Sequence, residues 1–234
     1  MNTFAPTAPI AAALWDFDGT LVDSEPVWVR AQYALTGRIG VQWTATDAER
    51  LVGNALIDSG RYMVQVFDSQ LGPDHGWTPE AVLEALVEQV STELAAGEIP
   101  WRPGARELLE EFRAAGIPTA LVSASYRQVL DCVLTRLPEG TFTTVVAGED
   151  TEKGKPDPAP YLLAAQRLGV DITDCVVFED SLPGTASGNA AGATVIGIQH
   201  LVVLPEHPNR VVIPTLSGVD IARVAALVAG AEVG

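Results

Sequence analysis

The hydrophobic pattern changes its period twice along the chain. A short apolar run, Ile10-Ala11-Ala12-Ala13-Leu14-Trp15, has the length and composition of a buried strand and stops at acidic residues. Residues 26–98 then follow a helical pattern that is broken near Gly37, Gly53 and Gly72. From Trp101 onward, short runs of valine, isoleucine and leucine alternate with helical segments. The pattern predicts a strand, a block of helices, and then repeated units of helix and strand.

Apolar strands that alternate with helices are typical of a parallel sheet whose two faces are both covered. We therefore predict an α/β fold in which residues 1–24 and 99–234 form a Rossmann-like core with a doubly wound parallel sheet. Residues 25–98 have no strand pattern and are predicted to form a helical cap, inserted after the first strand. Beyond that strand, the predicted strands are residues 117–123, 142–147, 175–178, 194–198 and 211–213.

Charge and hydropathy exclude several classes of partner. The formal net charge of -16 disfavours nucleic acid and anionic membranes, because phosphate groups would be repelled. No apolar stretch approaches the roughly 20 residues that span a bilayer. The first residues also lack the basic start of a secretory signal. We expect a cytoplasmic protein and a monomer.

The residue types that bind metals or anions are few. Cys132 and Cys175 have no CxxC or CxxH spacing and are predicted to be buried thiols. The histidines are scattered and form a poor ligand set: His75, His200 and His207. The chain has twelve arginines but only two lysines, Lys153 and Lys155, which share one loop. An ammonium group is suited to bridging a carboxylate and a phosphate, although biased composition alone could give the same distribution.

Two carboxylates follow the first strand directly, in Asp16-Phe17-Asp18-Gly19-Thr20. The carboxyl edge of an open α/β sheet is where ligands bind. Gly19 and Thr20 allow a sharp turn and expose backbone amides to an anion. Such a pair of carboxylates can hold a divalent cation and still attack phosphorus. An aspartate-rich turn at a strand end is the structural alternative.

Three later strand ends also carry polar groups. Ser123 follows one strand, with the amides of Ala124 and its neighbours beside it, and Lys155 follows another. A third strand ends in Glu179 and Asp180. Because parallel strands bring these ends to one edge, Asp16, Asp18 and Asp180 are predicted to bind one Mg²⁺ together with water. Each group alone has an ordinary explanation, as a helix cap or a solvated charge, but their order favours a site.

These motifs, in this order, resemble the haloacid dehalogenase superfamily of phosphotransferases, in the branch with a helical cap after the first strand. The resemblance covers nearly the whole chain. It implies that Asp16 is the nucleophile and forms an aspartyl-phosphate. It also implies that Asp18 protonates the leaving oxygen, later activates water, and offers its backbone carbonyl to Mg²⁺.

The same resemblance assigns the remaining core residues. Ser123 matches the hydroxyl that binds phosphate, and Lys155 matches the ammonium group that balances charge. Asp180 matches a direct metal ligand. Glu179 is either a ligand itself or an acid that contacts the ligands and not the metal. Attack by a carboxylate on a phosphate dianion is opposed by like charge, which Mg²⁺ and Lys155 offset.

Departures from the family pattern narrow the activity. Asp18 argues against a dehalogenase, which has no phosphate ester to protonate. The predicted cap has no lysine, which excludes the Schiff base of the family's phosphonate hydrolase. Mutases of the family carry a histidine and an arginine where this chain has Trp28 and Leu56. The segment from Glu25 to Trp28 resembles bacterial sugar phosphatases instead, although Trp28 could simply belong to a helix core.

We therefore predict a Mg²⁺-dependent phosphatase that acts on small phosphorylated metabolites, such as sugar or polyol phosphates, with the cap closing over the site. Predicted substrate contacts come from six residues: Gly19, Thr20, Glu25, Trp28, Asn54 and Ala124. One alternative is a phosphomutase similar to β-phosphoglucomutase. Another is a noncatalytic protein that keeps the fold to bind a phosphorylated ligand.

Overall fold

The computed structural model describes residues 10–51 and 56–230 of the chain. The strands in this part are β1 (Ala12–Trp15), β2 (Thr119–Val122), β3 (Thr144–Val146), β4 (Cys175–Glu179), β5 (Thr194–Ile198) and β6 (Arg210–Ile213). They form one six-stranded parallel sheet in the order β3-β2-β1-β4-β5-β6. The chain therefore builds the sheet outward from β1, first on one side and then on the other, which confirms the predicted doubly wound α/β fold.

Nine α-helices are present in the described part of the chain. They are α1 (Glu25–Ile39), α2 (Ala45–Glu49), α3 (Leu56–Leu71), α4 (Pro79–Ala96), α5 (Ala105–Ala114), α6 (Arg127–Leu134), α7 (Ala159–Leu168), α8 (Leu182–Ala191) and α9 (Ile221–Val228). Helices α1 to α4 follow β1 without an intervening strand, which confirms the predicted helical insertion. None of these helices is both long enough and apolar enough to cross a membrane.

Both faces of the central strands are buried, as the continuous apolar runs predict. Every residue of β1, β2 and β4 is buried. Because side chains alternate along a strand, Leu14 packs into an apolar cluster on one face while Trp15 points to the other. There the Trp15 ring stacks on Phe178 with centroids 4.2 Å apart and meets Phe112 edge-on at 6.2 Å. Strand β1 is therefore packed on both of its faces.

Helix boundaries follow from capping residues. Thr78 accepts a hydrogen bond from the Ala81 amide at 3.2 Å, which starts α4 ahead of its proline. The break expected at residues 37–40 is present at the last of them, because α1 continues through Gly37 to Ile39. The helix ends at Gly40, whose φ of 75° lies in the left-handed region that glycine adopts without strain.

The chain divides into two compact units. The first comprises the described residues up to Asp23, Pro100–Ser123, and those from Leu137 onward. The second comprises Ser24–Ile99, apart from the residues that are not described, together with Ala124–Arg136. Within the second unit, Arg136 Nη1 donates to the Leu94 carbonyl at 2.9 Å. Helix α6 thus groups with the inserted helices, whereas the boundaries predicted from the sequence assign it to the core.

Candidate active site

The sheet itself brings the predicted side chains to one edge. Trp15 of β1 is in register with Leu121 on one side and with Phe178 on the other. Asp16 continues this alignment, since its amide donates to the Phe178 carbonyl at 3.0 Å. Ser123 follows β2 and donates its amide to Val146 at 2.9 Å. The residues that leave β1, β2 and β4 are therefore neighbours at the carboxyl ends of the strands.

The turn after β1 is shaped around Asp180. Gly19 has a φ of 85°, and a methyl group there would overlap the Asp180 carboxylate. Its amide donates to the Val22 carbonyl at 2.8 Å, which closes the turn. Thr20 is buried, and its hydroxyl donates to Asp180 Oδ1 at 3.1 Å. Gly19 is therefore required both by the backbone conformation and by the space that Asp180 occupies.

Asp18 lies beside a buried hydroxyl group. Ser123 Oγ donates to Asp18 Oδ2 at 3.3 Å, and Ser123 is only 3% exposed. The contact joins the second aspartate of the first motif to the hydroxyl after β2. Asp18 and Ser123 thus lie close enough to act on the same bound group.

Lys155 connects the first strand to the third motif. Its Nζ donates to Asp16 Oδ1 at 2.6 Å, to Glu179 Oε1 at 2.6 Å and to the Val122 carbonyl at 2.9 Å. Burial opposes the charged form, but the carboxylates of Asp16 and Glu179 outweigh it and raise the pKa of the ammonium group. Lys155 therefore stays protonated, and its three donor positions are all used.

Glu179 is fully buried and surrounded by donors. Its Oε1 accepts from Lys155 at 2.6 Å and from the Tyr161 hydroxyl at 2.8 Å. Its Oε2 accepts from the amides of Asp180 at 3.1 Å and Ser181 at 3.3 Å, and from the Ser181 hydroxyl at 3.0 Å. Both oxygens are thus occupied within the protein. This favours the second of the two roles left open for Glu179, an acid that orients its neighbours.

Three carboxylates form a group that could hold a metal ion. Asp16, Glu179 and Asp180 each offer an oxygen within 4.8 Å of the others, and all three are buried. Burial and the charge of Glu179 raise the pKa of Asp16 well above its usual range, and the same causes raise the pKa of Asp180 to about 7. The ammonium group of Lys155 alone does not balance the ionised forms of these carboxylates, and a divalent cation would supply the missing positive charge. Hard oxygen donors are the ligands that Mg²⁺ prefers.

Two residues at this edge were missed in the sequence. Tyr161 lies in the first turn of α7, with its ring centroid 5.1 Å from Lys155 Nζ. His200 follows β5, and its Nδ1 lies 3.4 Å from Asp180 Oδ2. Burial and the charge of Arg102 lower the pKa of His200. The strand-end rule that identified Ser123 could have identified His200 too, whereas Tyr161 has the pattern of an ordinary core aromatic.

The remaining predicted substrate contacts belong to the second unit or are not described. Trp28 is buried on α1, and Glu25 is half-buried in the first turn of that helix. Ala124 directly follows Ser123 and is exposed. Asn54 lies outside the described residues. Contact between these residues and a substrate stays a prediction.

Comparison with known proteins identifies similar sequences and a similar structure. A family model for haloacid dehalogenase-like hydrolases matches residues 10–192. Hexitol phosphatase B of Escherichia coli (strain K12) is 34% identical over 204 residues, which cover 86% of each protein. The bifunctional riboflavin kinase/FMN phosphatase of Arabidopsis thaliana is 29% identical over 82% of this chain, which spans only 49% of that protein. The crystal structure of CbbY from Rhodobacter sphaeroides in complex with phosphate has a TM-score of 0.79 and 25% identity, over 92% of this chain and 98% of that one.

Proposed function

Because the chain belongs to the haloacid dehalogenase-like hydrolases, we propose that it is a Mg²⁺-dependent phosphatase of small phosphorylated metabolites, and specifically of sugar or polyol phosphates. The observation that carries the proposal is the buried contact of Asp16 with Lys155, next to the pair formed by Asp18 and Ser123. The similarity to hexitol phosphatase B supports the substrate class.

In the proposed first step, a carboxylate oxygen of Asp16 attacks the phosphorus atom of a phosphate monoester. The bond from phosphorus to the ester oxygen breaks, and the product remains joined to Asp16 as an aspartyl-phosphate. Lys155 fixes the orientation of Asp16 and places positive charge beside two groups that would otherwise repel each other. Mg²⁺, held by the carboxylates of Asp16 and Asp180 and by the backbone carbonyl of Asp18, would add further positive charge at the phosphoryl group.

Asp18 is proposed to move the protons. The departing ester oxygen takes a proton from Asp18 and leaves as an alcohol. In the second step, the Asp18 carboxylate accepts a proton from water while the water oxygen attacks phosphorus. The bond between phosphorus and Asp16 then breaks and inorganic phosphate is released. The Ser123 hydroxyl donates to Asp18 Oδ2 at 3.3 Å. In this proposal it holds Asp18 before substrate binds and holds the phosphate group afterwards.

The test is a screen of the purified protein against hexitol phosphates, hexose phosphates, FMN and p-nitrophenyl phosphate. Each is assayed with Mg²⁺, with EDTA, and after Mg²⁺ is restored to the chelated protein. Asp16→Asn serves as the matched control, because an amide has nearly the same shape but is a poor nucleophile. We expect release of phosphate that needs both Mg²⁺ and Asp16, and that is fastest with a sugar or polyol phosphate. Hydrolysis that persists in EDTA or in Asp16→Asn would contradict the proposal.

A further inference from the structure

We propose that Tyr161 is a positioning residue whose hydroxyl holds Glu179 so that Lys155 stays directed at Asp16. This inference rests on the proposed function of Asp16 as the nucleophile. Tyr161 does not touch the reacting atoms in this scheme and acts only through Glu179 and Lys155.

The polar end of Tyr161 has a defined partner deep in the protein. Tyr161 is fully buried, and its ring belongs to the same apolar cluster as Leu14 and Val177. Its hydroxyl donates to Glu179 Oε1 at 2.8 Å. Phenylalanine would fill the same space, so packing alone does not require the hydroxyl group. What the hydroxyl adds is one donor to a buried carboxylate.

That donor shares its acceptor atom with the ammonium group of Lys155. Glu179 Oε1 receives both hydrogen bonds, at 2.6 Å from Lys155 and 2.8 Å from Tyr161. Lys155 divides its remaining donors between Asp16 and the Val122 carbonyl. Without the tyrosine hydroxyl, the charge of Glu179 is less well satisfied and attracts the ammonium group more strongly. The hydrogen bond from Lys155 to Asp16 is the contact that this attraction weakens.

Tyr161→Phe isolates this effect from packing. The variant keeps the ring that lies 5.1 Å from Lys155 Nζ and removes only the hydroxyl group. We expect kcat to fall by about 10- to 100-fold, as is typical when a residue that orients an active-site group is changed, while KM stays nearly constant. Tyr33→Phe, the same change at an exposed tyrosine of α1, is the matched control and is expected to leave both constants unchanged.

The decisive measurement is binding of beryllofluoride, which joins an aspartate carboxylate as a mimic of an aspartyl-phosphate. Its affinity in the presence of Mg²⁺ is measured by fluorine NMR, so the result does not depend on turnover. We expect affinity about tenfold weaker in Tyr161→Phe than in the wild type or Tyr33→Phe. The same comparison is made in a Glu179→Gln background, where the second substitution is expected to have little further effect because the two residues act in series.

The outcomes separate the two proposals. An unchanged affinity in Tyr161→Phe, or an equal loss with and without Glu179→Gln, would overturn the positioning role, since a packing defect would add independently of Glu179. In the wild type, a beryllofluoride signal is expected that is lost in Asp16→Asn. If no such signal is seen, the proposed function fails and the role of Tyr161 fails with it. A normal wild-type signal together with an unaffected Tyr161→Phe overturns the positioning role alone.

Discussion

Asp16 and Asp18 lie two residues apart but have different partners. Asp16 is buried and accepts a hydrogen bond from Lys155, whereas Asp18 accepts one from the Ser123 hydroxyl. A carboxylate that accepts a hydrogen bond from an ammonium group is held in an orientation suited to attack. A carboxylate beside a hydroxyl group can still gain and lose a proton. The different surroundings support different roles for two residues of the same type.

Asp18→Asn is expected to affect substrates according to their leaving groups. With a sugar phosphate, formation of the aspartyl-phosphate should slow by about 10²- to 10⁴-fold, because the ester oxygen then departs without a proton. With p-nitrophenyl phosphate the slowing should be much smaller, since nitrophenolate leaves unassisted. Rapid-quench measurement of the first turnover compares the two. Equal slowing for both substrates would remove Asp18 as the acid.

Asp180 is expected to make the metal-free protein sensitive to pH. Its pKa of about 7 in the folded protein exceeds the ordinary 3.8, so the folded state binds the proton more tightly than the unfolded state. The contribution of Asp180 to the free energy of unfolding is fully present below the pKa of the unfolded state. It falls as the pH rises toward 7 and changes little above pH 7. In EDTA, the melting temperature of Asp180→Asn should therefore be higher than that of the wild type. The difference should grow between pH 4.5 and 7 and reach at least about 3 °C. A margin independent of pH would contradict the assignment.

The residues that sequence patterns could identify are those that directly follow a strand. Asp16, Ser123 and Asp180 fall in that class, because the ends of parallel strands meet at one edge. Tyr161 and His200 were not identified, since a side chain that turns toward the site from a helix or loop leaves no periodic signal. Which oxygen of Glu179 meets which donor likewise depends on rotamers that only the folded structure fixes.

At the scale of elements, the turn after β1 permits a paired test. Gly19 and Gly116 both have positive φ, 85° and 70°, but a methyl group has open space at Gly116 and overlaps Asp180 at Gly19. Gly116→Ala is expected to cost about 1–2 kcal/mol for its backbone alone. Gly19→Ala should cost more and should also raise the Mg²⁺ concentration needed for activity. Thermal melting and a Mg²⁺ titration check both, and equal behaviour of the two variants would contradict a turn shaped around Asp180.

Strand positions were predictable, but their lengths and the packing of one helix were not. The predicted strand 194–198 coincides with β5, whereas the run 142–147 gives only Thr144–Val146. A strand extends only as far as its neighbour can pair with it, and β2 pairs with those three residues. Helix α6 is amphipathic like a helix that covers a sheet, yet it contacts α4. An apolar face does not specify its partner.

At the scale of the whole molecule, the choice between phosphatase and mutase is open to a direct test. A mutase must hold a bisphosphate and turn it round, which requires cationic or hydrogen-bonding groups where this chain has Trp28 and Leu56. We therefore expect β-glucose 1-phosphate, if it is accepted, to yield glucose and inorganic phosphate even when glucose 1,6-bisphosphate is present. Phosphorus NMR follows both products. Glucose 6-phosphate that accumulates faster than free phosphate would favour the mutase.

The central place of β1 in the sheet has a consequence for how the protein acquires activity during folding. Asp16 and Asp18 lie near the beginning of the chain, but the contacts Ser123–Asp18, Lys155–Asp16 and Thr20–Asp180 span 105, 139 and 160 residues. Contacts of such long range form late, because a large loop must close before they are gained. A chain emerging from the ribosome thus carries Asp16, the proposed nucleophile, long before Lys155 and Asp180 have been synthesised. Recovery of metal-dependent hydrolysis on refolding should therefore report the docking of β4 against β1, rather than the earlier formation of helices.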